Sequence, residues 1–220
     1  MYADENTSET ILHELAVDGK AKVIKFLLEK DEMKDLIVGN LLLQDNLGYT
    51  PLMSATKANK NGKEIIEMFL NFLLNNMINP NQLKSLMMAN NGKCKETLFT
   101  LLVRNVGEEN FSHTRDLLFS LLKKHSDSEK NLEDWFLEMT KQVRESKTNN
   151  LSSSTMKELI RLGADAGVKF KSVLAHQSKF GNTLLMKLAM KMKDEALREI
   201  LTNTRTSKYV SLPFKTMQTL

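Results

Sequence analysis

The feature that most constrains this chain is a turn that it uses more than once. The segment QDNLGYTPLMSAT, Gln44 to Thr56, overlays QSKFGNTLLMKLA, Gln177 to Ala189, with Gln, Gly, Thr, Leu and Met at the same offsets. A large apolar residue, Leu47 or Phe180, precedes each glycine. Glycine two residues ahead of threonine supplies a turn, and the threonine hydroxyl caps the helix that follows. Pro51 stands at the first helical position, where its missing N–H costs nothing. The segment therefore reads as loop, cap, helix. A third copy is Thr10-Ile11-Leu12-His13-Glu14-Leu15-Ala16, followed by Asp18-Gly19 and the apolar run Val23 to Leu28, and a fourth, weaker one is Glu96 to Leu102. Recurrence of this kind marks a chain built from stacked units.

Each unit is expected to be a pair of short antiparallel helices that cannot bury its apolar face alone, so neighbouring units must cover one another. Leu12, Leu15, Val23, Phe26 and Leu27 have helical spacing and are expected to fill the core between units. The small residues Ala16, Ala55 and Ala189 would let paired helices approach closely. Composition agrees: 9 glycines, 3 prolines and 6% aromatic residues argue against many tight hairpins and strands, so the expected class is all-α. A chain of 220 residues, 41% hydrophobic, is long enough to bury a sizeable core.

These segments resemble ankyrin repeats, whose pattern is G-x-T-P-L-H-x-A-A, a short turn with Gly, and a second helix ending in L-L-x-x-G-A-D. Gly48-Tyr49-Thr50-Pro51-Leu52 gives the start, Thr10 to Ala16 gives T-x-L-H-x-x-A, and Leu159-Ile160-Arg161-Leu162-Gly163-Ala164-Asp165 gives the ending. The resemblance implies an ankyrin-like solenoid over residues 1–204, with units near 7–43, 44–80, 90–125, 129–165 and 175–204, and a basic tail over 205–220. The chain departs from the family in spacing, since Thr10, Thr50, Thr97 and Thr183 lie farther apart than the usual period of about 33 residues. The excess is expected in Ala58 to Asn61, lengthening one helical turn, and in the apolar stretches Leu36 to Leu43 and Leu83 to Met88, as extra helical turns. One unit is degenerate: NLEDWFLEMTKQVR supplies a first helix, SSSTMKELIRLGAD a capped second one, and ESKTNNL a polar loop. A HEAT or armadillo solenoid is the alternative fold, disfavoured because those families do not begin a helix with a Gly-x-Thr-Pro-Leu turn.

Catalytic chemistry is thin. The 4 histidines, His13, His113, His125 and His176, form no HExxH and no cluster at metal-ligand spacing. By the resemblance, His13 is a hydrogen-bonding group tying its loop to the next, while Met53 and Met186 hold that place in other units and should tie their turns less firmly. His176 is a surface contact or a solvated loop residue. Cys94, the only cysteine, excludes an intrachain disulfide and lacks a local base and orienting group for nucleophilic work. Asn91-Gly92-Lys93 is too short to be a phosphate-binding loop. Trp135 lies in an apolar-periodic run, as core or as a binding anchor. The expectation is a non-enzyme with no cofactor, no metal and no small-molecule substrate.

Function then follows from shape. The resemblance implies that turn tips and first-helix faces line up to bind another protein, and the residues so placed are Asn46, Leu47 and Tyr49, then Lys93 and Lys95, then Lys179, Phe180 and Asn182. Leu47 and Phe180 are either contacts or inter-loop packing. An adaptor, inhibitor, regulatory subunit or ankyrin-type effector of an intracellular microbe fits. The alternative is a nucleic-acid or anionic-surface binder using Lys93, Lys95, Lys179, Lys187, Lys191 and Lys193, which the net charge of +4 supports only weakly. The polar start MYADENTSET lacks the apolar run of a secretory signal, no window reaches a membrane span, and the cytoplasm is the expected location, or a host cytoplasm or nucleus for an effector.

Overall fold

The computed structural model describes residues 7–76, 78–92, 94–106, 111–125, 133–139, 153–165, 168 and 181. They are all-α. In chain order the helices are α1 (Ile11–Val17), α2 (Ala21–Leu28), α3 (Lys34–Leu42) behind a 3-10 turn at Asp31–Met33, α4 (Pro51–Ala55), α5 (Gly62–Asn75), α6 (Pro80–Met88), α7 (Leu98–Val106), α8 (Phe111–His125), α9 (133–139) and α10 (Ser153–Asp165). No described residue belongs to a strand, and the extended pairing is confined to one isolated bridge between Asn90 and Thr97.

Packing follows a rule of three. α1 packs on α4 and α4 on α7; α2 packs on α5 and α5 on α8; α3 packs on α6. The apolar stretches at Leu36 to Leu43 and Leu83 to Met88 thus lie largely in helices of their own. α6 is delimited by sequence: Asn79 Oδ1 accepts from Gln82 N at 2.8 Å, Gln82 Oε1 accepts from Asn79 N at 2.9 Å, and Pro80 takes the first helical position. α4 has only five residues, too few to persist alone. It persists because all five are buried between its neighbours, and because Thr50 Oγ1 accepts from Met53 N at 3.3 Å.

The core runs through these rows. Leu12, Ile24, Ile37, Leu52, Ile65, Phe69, Leu83, Phe99, Phe111 and Phe136 are sealed from solvent, and Phe99 meets Phe111 edge to face at 5.7 Å. Burying one such side chain is worth roughly 1.5–3 kcal/mol. Trp135 is buried with them, which makes it a core residue and not an exposed anchor. Leu12, Leu15 and Leu27 pack as expected; Val23 and Phe26 do not, being 46% and 58% exposed. The α2 sequence AKVIKFLL is apolar over more than half its circumference. The face turned inward is the one carrying Ala21 and Ile24, which leaves Val23 and Phe26 outside.

Ala58 to Asn61 does not extend a helix. α4 stops at Ala55, and Asn61 takes a left-handed conformation (φ 59°) that a helix cannot contain. A Cβ on Gly62 would lie 2.7 Å from Ala55 O, so the reversal into α5 is tight. Asn61 Nδ2 donates to Gly19 O at 3.0 Å, and a Cβ on Gly19 would lie 2.3 Å from Lys60 O. The α1–α2 and α4–α5 turns are therefore in backbone contact. Across the later helices, the buried Glu158 of α10 accepts from Arg115 of α8 at 3.2 Å and from Arg161 at 2.9 Å.

Candidate interaction surface

Before each repeated threonine the backbone does the same thing. Ser8 (φ 57°), Gly48 (φ 83°), Lys95 (φ 54°) and Gly181 (φ 78°) are all left-handed, and each lies two residues ahead of a threonine: Thr10, Thr50, Thr97 and Thr183. Glycine tolerates this region freely and other residues pay for it. Ser8 and Lys95 adopt it anyway, so the turn geometry is imposed by what surrounds it.

An acidic or amide side chain organises the turn from within. Asp45 Oδ1 accepts from Leu47 N and Tyr49 N at 2.9 and 2.8 Å, Asp45 N donates to Tyr49 O at 2.8 Å, and Gly48 N returns to Asp45 O at 2.9 Å. The third turn repeats the scheme with one more residue: Asn91 Oδ1 accepts from Cys94 N and Glu96 N at 3.0 and 3.1 Å, Asn91 N donates to Glu96 O at 3.0 Å, and Lys95 N returns to Asn91 O at 2.8 Å. These are Asx-type turns. The sequence places Asn91 in a turn with Gly92 and Lys93 but assigns neither Asp45 nor Asn91 this organising role, although an Asp or Asn opening a glycine turn is its ordinary signal.

The turns are joined edge to edge. Asn46 N donates to Thr7 O at 2.9 Å, and Ser8 Oγ donates to Asn46 Oδ1 at 2.8 Å. On the other side Gly92 N donates to Leu47 O at 2.9 Å, and Gln44 Nε2 reaches Asn90 O at 3.3 Å. Gly48 allows the close approach: its Cβ would lie 2.5 Å from Asn90 O. His13 binds the first turn to the second, with Nε2 at 2.9 Å from Tyr49 O. Met53 holds the matching position and is fully buried, making no such bond; Asn91 Nδ2, donating to Tyr49 Oη at 3.1 Å, ties the second turn to the third instead.

A cation seven residues beyond the threonine braces two of the turns. Lys57 sets its ammonium 3.1 Å from the centre of the Tyr49 ring, and Arg104 pairs with the buried Glu96. Burial lowers the Lys57 pKa, and the carboxylates of Asp45 and Glu9 pull it back up.

Of the residues expected to bind a partner, the structure brings Asn46, Leu47 and Tyr49 to one turn and Lys95 to the adjoining one. Asn46 and Lys95 are exposed. Leu47 is 60% exposed, so it does not tuck between loops. Tyr49 is half-buried, its ring under Lys57 and its hydroxyl on Asn91. Lys93, Lys179, Phe180 and Asn182 lie outside the described residues, as do His176, Met186, Lys187, Lys191 and Lys193. Cys94 is half-buried within the third turn. Among the described residues no group of three or more His, Cys, Asp or Glu side chains could hold a metal ion, and no helix is long and apolar enough to cross a membrane.

Compared with known proteins, the chain matches no family model, no curated protein and no solved structure.

Proposed function

We propose that this chain is an ankyrin-like helical-repeat module that binds a partner protein along its row of turns and does no chemistry of its own. On this reading its units are helix triplets, α1–α3 and α4–α6, continued by α7 and α8, which accounts for a spacing longer than that of a two-helix ankyrin unit. The shared left-handed position ahead of four threonines and the helix-on-helix succession support the repeat.

One observation carries the binding reading. Leu47 is a large apolar side chain, 60% exposed, at the tip of a turn whose backbone is bonded to the turns on both sides. A rigid tip loses little entropy on binding, and an apolar side chain presented there has no packing role to explain it. Asn46 and Lys95 supply polar contacts beside it.

The experiment replaces Leu47 with a photo-crosslinking amino acid in the full chain, expressed in its source cell, and pairs this with Leu47→Ala. The reading requires a discrete crosslinked protein species whose recovery falls in the Leu47→Ala chain while the melting temperature is unchanged. A lowered melting temperature with no crosslink would make Leu47 a packing residue and end the proposal.

A further inference from the structure

α2 carries apolar side chains where its counterpart carries acids. Counted from the N-caps Lys20 and Asn61, Ile24 falls on Ile65, and both are fully buried, which fixes the register between α2 and α5. Val23 and Phe26 then fall on Glu64 and Glu67. Lys25 and Glu29, exposed, fall on the buried Ile66 and Leu70, whereas the counterparts of Val23 and Phe26, Glu64 and Glu67, are themselves exposed or partly exposed.

The patch has a definite charge. Lys20, Lys22, Lys25 and Lys30 are all exposed around it, and among the described residues none of the four is ion-paired. Lys30 instead places its ammonium 4.5 Å from the centre of the Phe26 ring. Cations standing beside an exposed aromatic ring and a valine favour a ligand that is apolar at its centre and anionic at its rim.

We infer that the outer face of α2 is a second docking surface, separate from the row of turns, for an acidic amphipathic protein segment: one or two large apolar side chains seated on Val23 and Phe26, flanked by Asp or Glu reaching Lys22, Lys25 and Lys30. A peptide is favoured over an anionic bilayer by what borders the patch. Glu29, Asp31, Glu32 and Asp35 are exposed and follow α2 directly in the chain. A flat anionic surface would meet all of these acids together with the lysines, whereas a single helix, about 10–12 Å across, meets fewer of them; Glu29, one turn beyond Phe26, is the acid it must still face.

The test is a selection of peptides from a random phage-displayed library on the full chain, repeated on the Val23→Glu/Phe26→Glu double variant. Both positions are exposed and the new residues copy those of α5, so the variant is expected to keep the wild-type circular dichroism and melting temperature. Peptides enriched on the wild type should share a large apolar residue flanked by Asp or Glu. A synthetic copy should bind the variant about tenfold more weakly or worse, weaken as salt rises, and bind Leu47→Ala as it binds the wild type. Failure to enrich that pattern, or equal binding to the double variant, overturns the inference. So does Phe26-dependent sedimentation with phosphatidylserine vesicles in the absence of peptide binding, which would assign the patch to lipid. The Leu47→Ala control keeps this outcome distinct from that of the turn row.

Discussion

The imidazole of His13 links two turns: Nδ1 accepts from Thr10 N at 3.1 Å, and Nε2 donates to Tyr49 O at 2.9 Å, 36 residues along the chain. A backbone N–H on one side and a carbonyl on the other require one neutral tautomer, with the proton on Nε2. A single side chain thereby closes the cap of α1 and fixes the height of the next turn against it. Thr10 and His13 act together, one starting α1 and the other setting its distance from the turn ahead of α4.

His13→Ala removes both bonds and the contact of Nδ1 with Thr10 Oγ1 at 2.9 Å; Thr10 N and Thr10 Oγ1, both buried, lose this partner, while Tyr49 O keeps its bond from Asp45 N. The expected loss is about 3 kcal/mol, from two unsatisfied buried groups, and urea unfolding monitored by far-ultraviolet circular dichroism measures it. His13→Gln keeps one acceptor and one donor and should recover part of that loss. An alanine variant as stable as the wild type would show that the bridge does not hold the turns together.

Gly48 and Gly181 share a left-handed backbone but not a crowded one. A Cβ on Gly48 would meet Asn90 O at 2.5 Å and Gly92 N at 2.9 Å, while one on Gly181 would meet nothing within 4 Å. Gly181→Ala should therefore cost only the backbone strain, about 1 kcal/mol, and Gly48→Ala that strain plus the separation of two stacked turns, about 3 kcal/mol in all. Differential scanning calorimetry of the two variants separates the contributions. Equal losses would mean that the second and third turns are not in backbone contact.

Much of this was legible before any coordinates, because turn chemistry is local. Gly48, Thr50 and Pro51 state the turn, the cap and the helix start within four residues; Asn79, Pro80 and Gln82 start α6 ahead of a stretch expected only as extra helical turns. The orientation of α2 was not legible: its apolar residues cover most of its circumference, and its packing on α1 and α5, with the contact between Gly19 and Asn61, decides which of them go inside. The tie between Arg115 and Glu158 is likewise invisible in sequence, since the partners stand 43 residues apart and each alone reads as a solvated charge. Lys95 is legible as a turn-tip residue but not as a left-handed one, because the third turn is one residue longer than the second and a lysine fills the glycine position.

Glu158 is an acid buried to 4% exposure, held by Arg115 and Arg161. Glu158→Gln keeps the shape and removes the charge, leaving the part-buried Arg115 with the more distant carboxylates of Asp116 and Asp165. Both arginines retain some solvent access, so the loss should fall short of that for a fully enclosed pair, at about 2 kcal/mol. Because Glu158 joins α10 to α8, amide hydrogen exchange should speed up in α10 before it does in α4. Uniform acceleration, or none, would contradict the assignment of this pair as the fastening of α10.

Lys95 offers the reverse experiment, a substitution that should improve the fold. It holds φ at 54° with an exposed side chain, in the place that Gly48 and Gly181 fill without strain. Lys95→Gly relieves roughly 1–2 kcal/mol of left-handed strain and returns about half of it through the greater freedom of glycine in the unfolded chain, where the entropic difference is about 0.4–1 kcal/mol. The expected net gain is about 0.5–1 kcal/mol, which for a domain of this size raises the melting temperature by about 1–4 °C. The same change deletes one of the polar groups beside Leu47. If the row of turns binds a partner, Lys95→Gly should therefore raise the melting temperature and lower affinity for the species crosslinked at Leu47, two effects of opposite sign from one residue. A lower melting temperature would show that the lysine side chain stabilises the third turn, and the repeated left-handed geometry would then be no guide to where this chain stores strain.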